Sequence, residues 1–135
     1  MKNPLTLPPS GSYLSDPDLV VNADQSLWMY YRAVIGGSNV IDVMRSGDGH
    51  TWSAPVTVVT VPSHTLVSPA VVRRGTAWQM WSVNAGSPGC SAASTTIERR
   101  TSGDGLTWSS PTTVALVQPG QNIWHIDVQW VPARA

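Results

Sequence analysis

The segment Ser46-Gly47-Asp48-Gly49-His50-Thr51-Trp52-Ser53 returns as Ser102-Gly103-Asp104-Gly105-Leu106-Thr107-Trp108-Ser109. Two copies of so particular a turn divide the chain into units of about fifty residues, close to the length of a four-stranded propeller blade. The likeness spreads outward from both copies. Val40-Ile41-Asp42-Val43-Met44-Arg45 answers Thr96-Ile97-Glu98-Arg99-Arg100-Thr101, and Leu27-Trp28-Met29-Tyr30-Tyr31 reads against Ala77-Trp78-Gln79-Met80-Trp81. Ser15-Asp16-Pro17-Asp18-Leu19-Val20-Val21 is matched by Val67-Ser68-Pro69-Ala70-Val71-Val72.

Each unit holds four short runs rich in β-branched and aromatic residues, punctuated by Gly, Asn, Asp, Ser and Pro. The runs predict strands over 17–22, 27–34, 39–45 and 55–61, then 69–74, 77–83, 95–101 and 111–117. A ninth run, 124–131, reads as the first strand of a third unit. No stretch has helical periodicity. The expected fold is all-β, a partial β-propeller of two four-stranded antiparallel blades plus one strand and no helices. Its boundaries fall at 1–14 for an N-terminal arm, 15–66 and 67–123 for the blades, and 124–135 for the extra strand.

The turn has a physical logic. Ser46, Asp48, Ser102 and Asp104 can accept hydrogen bonds from N–H groups of their own loops, while Gly49 and Gly105 adopt positive φ at little steric cost. Trp52 and Trp108 then lie under the hairpins, where a large ring can seal the space between sheets. Trp28, Trp78 and Trp81 are read as core rings at matched positions.

Ser-x-Asp-x-Gly-x-Thr-Trp is similar to the Asp-box, or BNR repeat, of sialidase-like propellers. The glycine here stands one place early, as Ser-Gly-Asp-Gly-x-Thr-Trp. In propellers the first strand of each blade lines a central channel. The openings Asp16-Pro17-Asp18, Ser68-Pro69-Ala70 and His125-Ile126-Asp127 are therefore expected at one mouth. This arrangement resembles the five-bladed propellers of glycoside hydrolase family 43 and its arabinanase-like relatives. The resemblance implies that Asp16 matches the general base and Asp127 the aspartate that tunes and orients. Read from the residues themselves, Asp16, Asp18 and Asp127 can hydrogen-bond sugar hydroxyls, with Trp124, His125 or Trp130 offering a stacking or donor surface. The general acid, a glutamate of the fourth blade, has no counterpart. Glu98, the sole glutamate, is read as a solvated surface residue away from the channel.

Inverting hydrolysis needs a protonated acid opposite an ionised base, so the chain is not expected to hydrolyse by itself. Three readings stay open: a glycan-recognising or assembly module, a segment of an active glycosidase, and a structural component of a phage virion or tail that binds no sugar.

Composition narrows the partners. Net charge is zero, charged residues make up 12%, and Lys2 is the sole lysine, so a phosphate-binding nucleic-acid surface is not expected. Cys90 stands alone, three scattered histidines show no zinc spacing, and no cofactor is implied. No apolar run is long enough to span a membrane and no leader is visible, so no compartment is assigned. A propeller ring needs at least four blades. The chain is accordingly expected to be completed by further blades or by copies of itself.

Overall fold

The computed structural model describes residues 5–116 and 121–131. Strands β1 (Tyr13–Val21), β2 (Leu27–Ile35), β3 (Ser38–Ser46) and β4 (Val56–Pro62) form one antiparallel sheet in sequential order. Strands β5 (Val67–Arg74), β6 (Ala77–Asn84), β7 (Thr96–Ser102) and β8 (Thr112–Val114) form a second in the same order. The helical content of the described residues is one 3₁₀ turn, Gly89–Ser91. Two successive four-stranded meanders facing each other make a partial β-propeller.

Alternation of side chains across each strand puts one face of the first sheet against the second. The shared core holds Val20, Tyr30, Ile41 and Val43 from the first sheet, Val71, Trp78 and Met80 from the second, and Leu66 from the connection. Tyr30, Ile41, Leu66 and Met80 are fully enclosed, and burying each such side chain contributes about 1.5–3 kcal/mol relative to exposure. Asn39, also enclosed, donates from Nδ2 to the Leu66 carbonyl at 2.9 Å and ties β3 to the inter-sheet connection.

The two turns are built alike. Ser46 Oγ accepts from Gly49 N at 2.8 Å, and Asp48 Oδ1 accepts from His50 N at 2.8 Å and Thr51 N at 2.7 Å. The second copy repeats this with Gly105 N on Ser102 Oγ at 2.9 Å, and Leu106 N and Thr107 N on Asp104 Oδ1 at 2.8 and 2.7 Å. The copies differ in what lies against them. Tyr30 of the first sheet donates its hydroxyl to the Gly105 carbonyl at 2.9 Å, and Trp108 packs edge-on to Tyr30. In the first turn the Gly49 carbonyl instead accepts from its own Trp52 Nε1 at 3.3 Å. Trp108 Nε1 has no partner among the described residues, and the equivalent carbonyl accepts from Tyr30.

Register corrects the matching of Trp28 with Trp78. Leu27 lies opposite Ser46 and Trp78 opposite Ser102. Since those serines open the matched turns, Trp78 corresponds to Leu27, Trp28 to Gln79 and Tyr30 to Trp81. The offset arises before β2, where the joint Asn22–Ser26 is longer than Gly75–Thr76. A shift of one residue reverses the face on which a side chain emerges, so Trp28 points toward the second sheet and Trp78 toward the first.

Two other expectations change. Glu98 is 8% exposed and not solvated. It lies opposite Ser82 and two places from Arg100, which faces the core residue Met80 across the ladder. Asn84 Nδ2 donates to Glu98 Oε1 at 2.8 Å, and Arg100 Nη1 approaches Oε2 at 3.6 Å. These neighbours make burial of the carboxylate possible. The run 124–131 does not pair as a strand, because no ladder partner for it exists among the described residues. It is held by side-chain contacts to the second sheet. Residues 1–4, 117–120 and 132–135 lie outside the described residues, which includes the outer ends of the expected arm and of the strands at 111–117 and 124–135.

Candidate functional site

The inner strands β1 and β5 are both broken near their starts by a bulge, between Ser15 and Asp18 and between Val67 and Ala70. At each bulge the residue before proline has positive φ, Asp16 at 52° and Ser68 at 49°. That conformation costs a non-glycine residue roughly 1–2 kcal/mol, and here it turns Asp16 and Ser68 out of the ladders. The two bulges and residues 125–127 enclose one cleft of about 360 Å³, lined by Asp16-Pro17-Asp18, Ser68-Pro69-Ala70 and His125-Ile126-Asp127. All three strand openings singled out in the sequence thus meet in one place.

Each polar group in the cleft has a distinct tether. Asp16 Oδ2 is 3.0 Å from Arg32 Nε, and both side chains are largely buried. Ser15 Oγ accepts from Arg32 Nε at 2.9 Å and donates to Asp16 Oδ2 at 3.2 Å. The other oxygen, Oδ1, lies 3.7 Å from His125 Nδ1. Asp18 Oδ2 accepts the backbone N–H of Val71 at 2.7 Å and so joins the two inner strands. Burial, with a smaller contribution from Asp127, pushes the Asp18 carboxyl above the usual carboxylate range. Asp127 is exposed and accepts from Val128 N at 2.8 Å.

Ser68 Oγ touches both the Trp124 carbonyl at 3.0 Å and His125 Nδ1 at 2.7 Å. A carbonyl only accepts, so the single hydroxyl proton goes to Trp124 and Nδ1 must donate to Ser68. The network thereby places a proton on His125 Nδ1. Serine and aspartate both approach the same ring nitrogen. A Ser-His-Asp relay requires opposite nitrogens, so this cluster is a latch for residues 124–125 and not a nucleophile.

Trp124 and Trp130 are not in the cleft. Trp130 sits at the far end of the segment beneath the Arg74 guanidinium, 4.1 Å from ring centroid to Cζ, and does not line the cleft. Trp124 lines a neighbouring cavity with Gly89, Cys90, Ala92, Thr95 and Asn122. His64 lies beside it, 6.2 Å from Trp124 between ring centroids. His50 is exposed, as is the Cys90 thiol. Sequence reasoning missed Arg32 as the partner of Asp16 and Ser68 as the latch. Arg32 lies on β2, and its alternation with Trp28 and Tyr30 on one face was the available signal.

Among the described residues no three His, Cys, Asp or Glu side chains are grouped as metal ligands, and no helix is long and apolar enough to cross a membrane. What the cleft offers is a set of carboxylate acceptors, one imidazole and a hydroxyl.

No protein-family model and no curated protein matches the chain. Among solved structures, the chain is similar to the α-L-arabinanase of Penicillium chrysogenum complexed with arabinobiose, with a TM-score of 0.59 and 14% identity. The match covers 78% of this chain and 34% of that one, so the chain spans about a third of the length of that enzyme. At this identity the likeness concerns the fold.

Proposed function

We propose that the chain is a glycan-recognising unit of a glycoside-hydrolase-like propeller, binding a neutral sugar in the cleft between Asp16, Asp18, His125 and Asp127 without hydrolysing it. The observation that carries this reading is the meeting of the openings of β1 and β5 with residues 125–127 in one polar cleft. Both openings are shaped by positive-φ residues, Asp16 and Ser68, which turn their side chains out of the ladders. Sugar hydroxyls are donors suited to carboxylate oxygens, and no lysine or arginine lines the cleft to favour an anion. That the neighbouring fold is an arabinanase holding arabinobiose supports arabino-oligosaccharides as the first ligands to try.

Calorimetric titration with arabinobiose and xylobiose tests the proposal. Saturable binding to one of them, weakened at least tenfold by Asp127→Ala, is the expected result. Absence of heat with either series would remove the reading. Asp16 is paired with Arg32, and Glu98 lies outside the cleft, so no release of reducing sugar is expected from the isolated chain.

A second reading, that the chain is a segment of an inverting glycosidase with its general acid on another blade, draws on the same likeness to part of an arabinanase. In that case Asp16 serves as base, and activity appears only when further blades are supplied. Under this reading additional sheets complete the wall of the cleft, and light scattering of the purified chain reports whether copies of it provide them.

A further inference from the structure

We propose that Trp124 and the loop 85–95 form a second sugar subsite beside the carboxylate cleft, so that the preferred ligand is an oligosaccharide of at least two neutral units. The inference rests on the glycan reading above and extends it.

The loop has no counterpart in the first sheet, where the corresponding joint between β2 and β3 is the two residues Gly36–Gly37. It is nevertheless a fixed wall. Ala85 N donates to the His64 carbonyl at 3.0 Å and Gly86 N to Asn84 Oδ1 at 2.9 Å. Gly89, at φ 56°, rests so closely on the His64 ring that a Cβ there would stand 2.7 Å from Nδ1. From the other side Asn122 Nδ2 donates to the Ala92 carbonyl at 2.9 Å. Between these anchors lies a cavity of about 310 Å³ lined by Gly89, Cys90, Ala92, Thr95, Asn122 and Trp124. That volume is at the lower end of small-molecule sites, about 300–1,000 Å³.

The two cavities are complementary in chemistry. The cleft supplies acceptors and a histidine but no broad apolar face. The neighbouring cavity supplies a half-buried indole, a surface against which the C–H face of a sugar ring can lie, along with the Thr95 hydroxyl and the amide oxygen of Asn122. No cationic side chain lines either cavity, and the carboxylates repel acidic sugars, which selects neutral units. Trp124 and His125 are consecutive in the chain, and they line different cavities. A ligand crossing that backbone places one unit in each cavity. The latch from Ser68 to the Trp124 carbonyl and His125 fixes the crossing point.

Calorimetry with arabinose and its oligomers of two to four units provides the test, on the unmodified chain and on Trp124→Ala, Trp124→Phe and Asp127→Ala. The expected result is affinity rising at least tenfold from one unit to three. Trp124→Ala should abolish that rise while monosaccharide binding persists, Trp124→Phe should restore part of it, and Asp127→Ala should weaken every length. Sugar binding that does not strengthen with length, or that strengthens equally in Trp124→Ala, overturns the subsite and leaves the cleft standing. Failure of the unmodified chain to bind any length overturns both.

Discussion

Trp28 and Trp78 face each other across the gap between the two sheets, with ring centroids 4.9 Å apart and planes inclined by 31°. They are not repeats of one position. Each emerges from the face its own sheet turns toward the other, and the offset of one residue between β2 and β6 allows the meeting. Tyr30 joins them, 6.3 Å from Trp78, and the Gly105 turn closes over the group.

The aromatic contact should therefore be energetically shared. Trp78, 3% exposed, is expected to cost about 3–5 kcal/mol on truncation to alanine, and the half-buried Trp28 less. A double-mutant cycle read by urea unfolding should give a coupling of about 0.5–1.5 kcal/mol. Strict additivity of the two changes would refute the contact.

The matched glycines should respond unequally to the same substitution. Gly49 and Gly105 have φ of 71° and 75°, so alanine strains both by roughly 1–2 kcal/mol. At Gly105 the new Cβ would also stand 2.8 Å from the Tyr30 hydroxyl and 2.9 Å from Trp28, whereas at Gly49 its nearest neighbour is Leu27 Cδ1 at 3.5 Å. Gly105→Ala should cost about 1–3 kcal/mol more than Gly49→Ala. Equal losses would mean that the second turn does not seat on the first sheet.

Acid stability should report the turns. Backbone N–H groups of Thr51 and His50 hold Asp48 at about 2, and those of Thr107 and Leu106 hold Asp104 at about 2, against an ordinary 3.8. Because the folded chain binds these protons less readily than the unfolded one, the stabilisation is full above about pH 4 and is lost as pH falls toward 2. In Asp48→Asn/Asp104→Asn the loss of stability between pH 4 and 2 should flatten by about one proton per turn. An unchanged acid limb in urea titrations would contradict the turn geometry.

The cleft's own ion pair gives a further expectation. Arg32→Leu leaves Asp16 as a buried charge without its partner and should cost about 3–5 kcal/mol. Adding Asp16→Asn should recover much of that loss, since the uncompensated charge is then gone. If Arg32→Leu alone left the unfolding midpoint unmoved, the pairing of Arg32 with Asp16 would be wrong.

The turns were readable from the letters because everything that holds them is local. Ser46, Asp48 and Gly49 satisfy one another within a few residues, and so do Ser102, Asp104 and Gly105. The strands followed from alternation and punctuation, and the meeting of Asp16, Ser68 and His125 followed from their matched places at the starts of three runs. Glu98 was misjudged because its burial depends on Asn84 and Arg100, partners chosen by strand pairing. Trp28 and Trp78 were equated because both follow a short apolar start, while the unequal joints before them decide the register.

Residue order by itself thus determined the repeat, the all-β class and the spacing that delivers Asp16, Ser68 and His125 to one cleft. Only the tertiary arrangement decided that Arg32 neutralises Asp16, that Ser68 holds the His125 ring through Nδ1, and that Trp124 faces a different cavity from its neighbour in the chain. The reason is range. Hydrogen bonds inside a turn depend on residues a few places apart, whereas the face on which a strand residue emerges, and the group it meets there, depend on how two distant sheets register against each other.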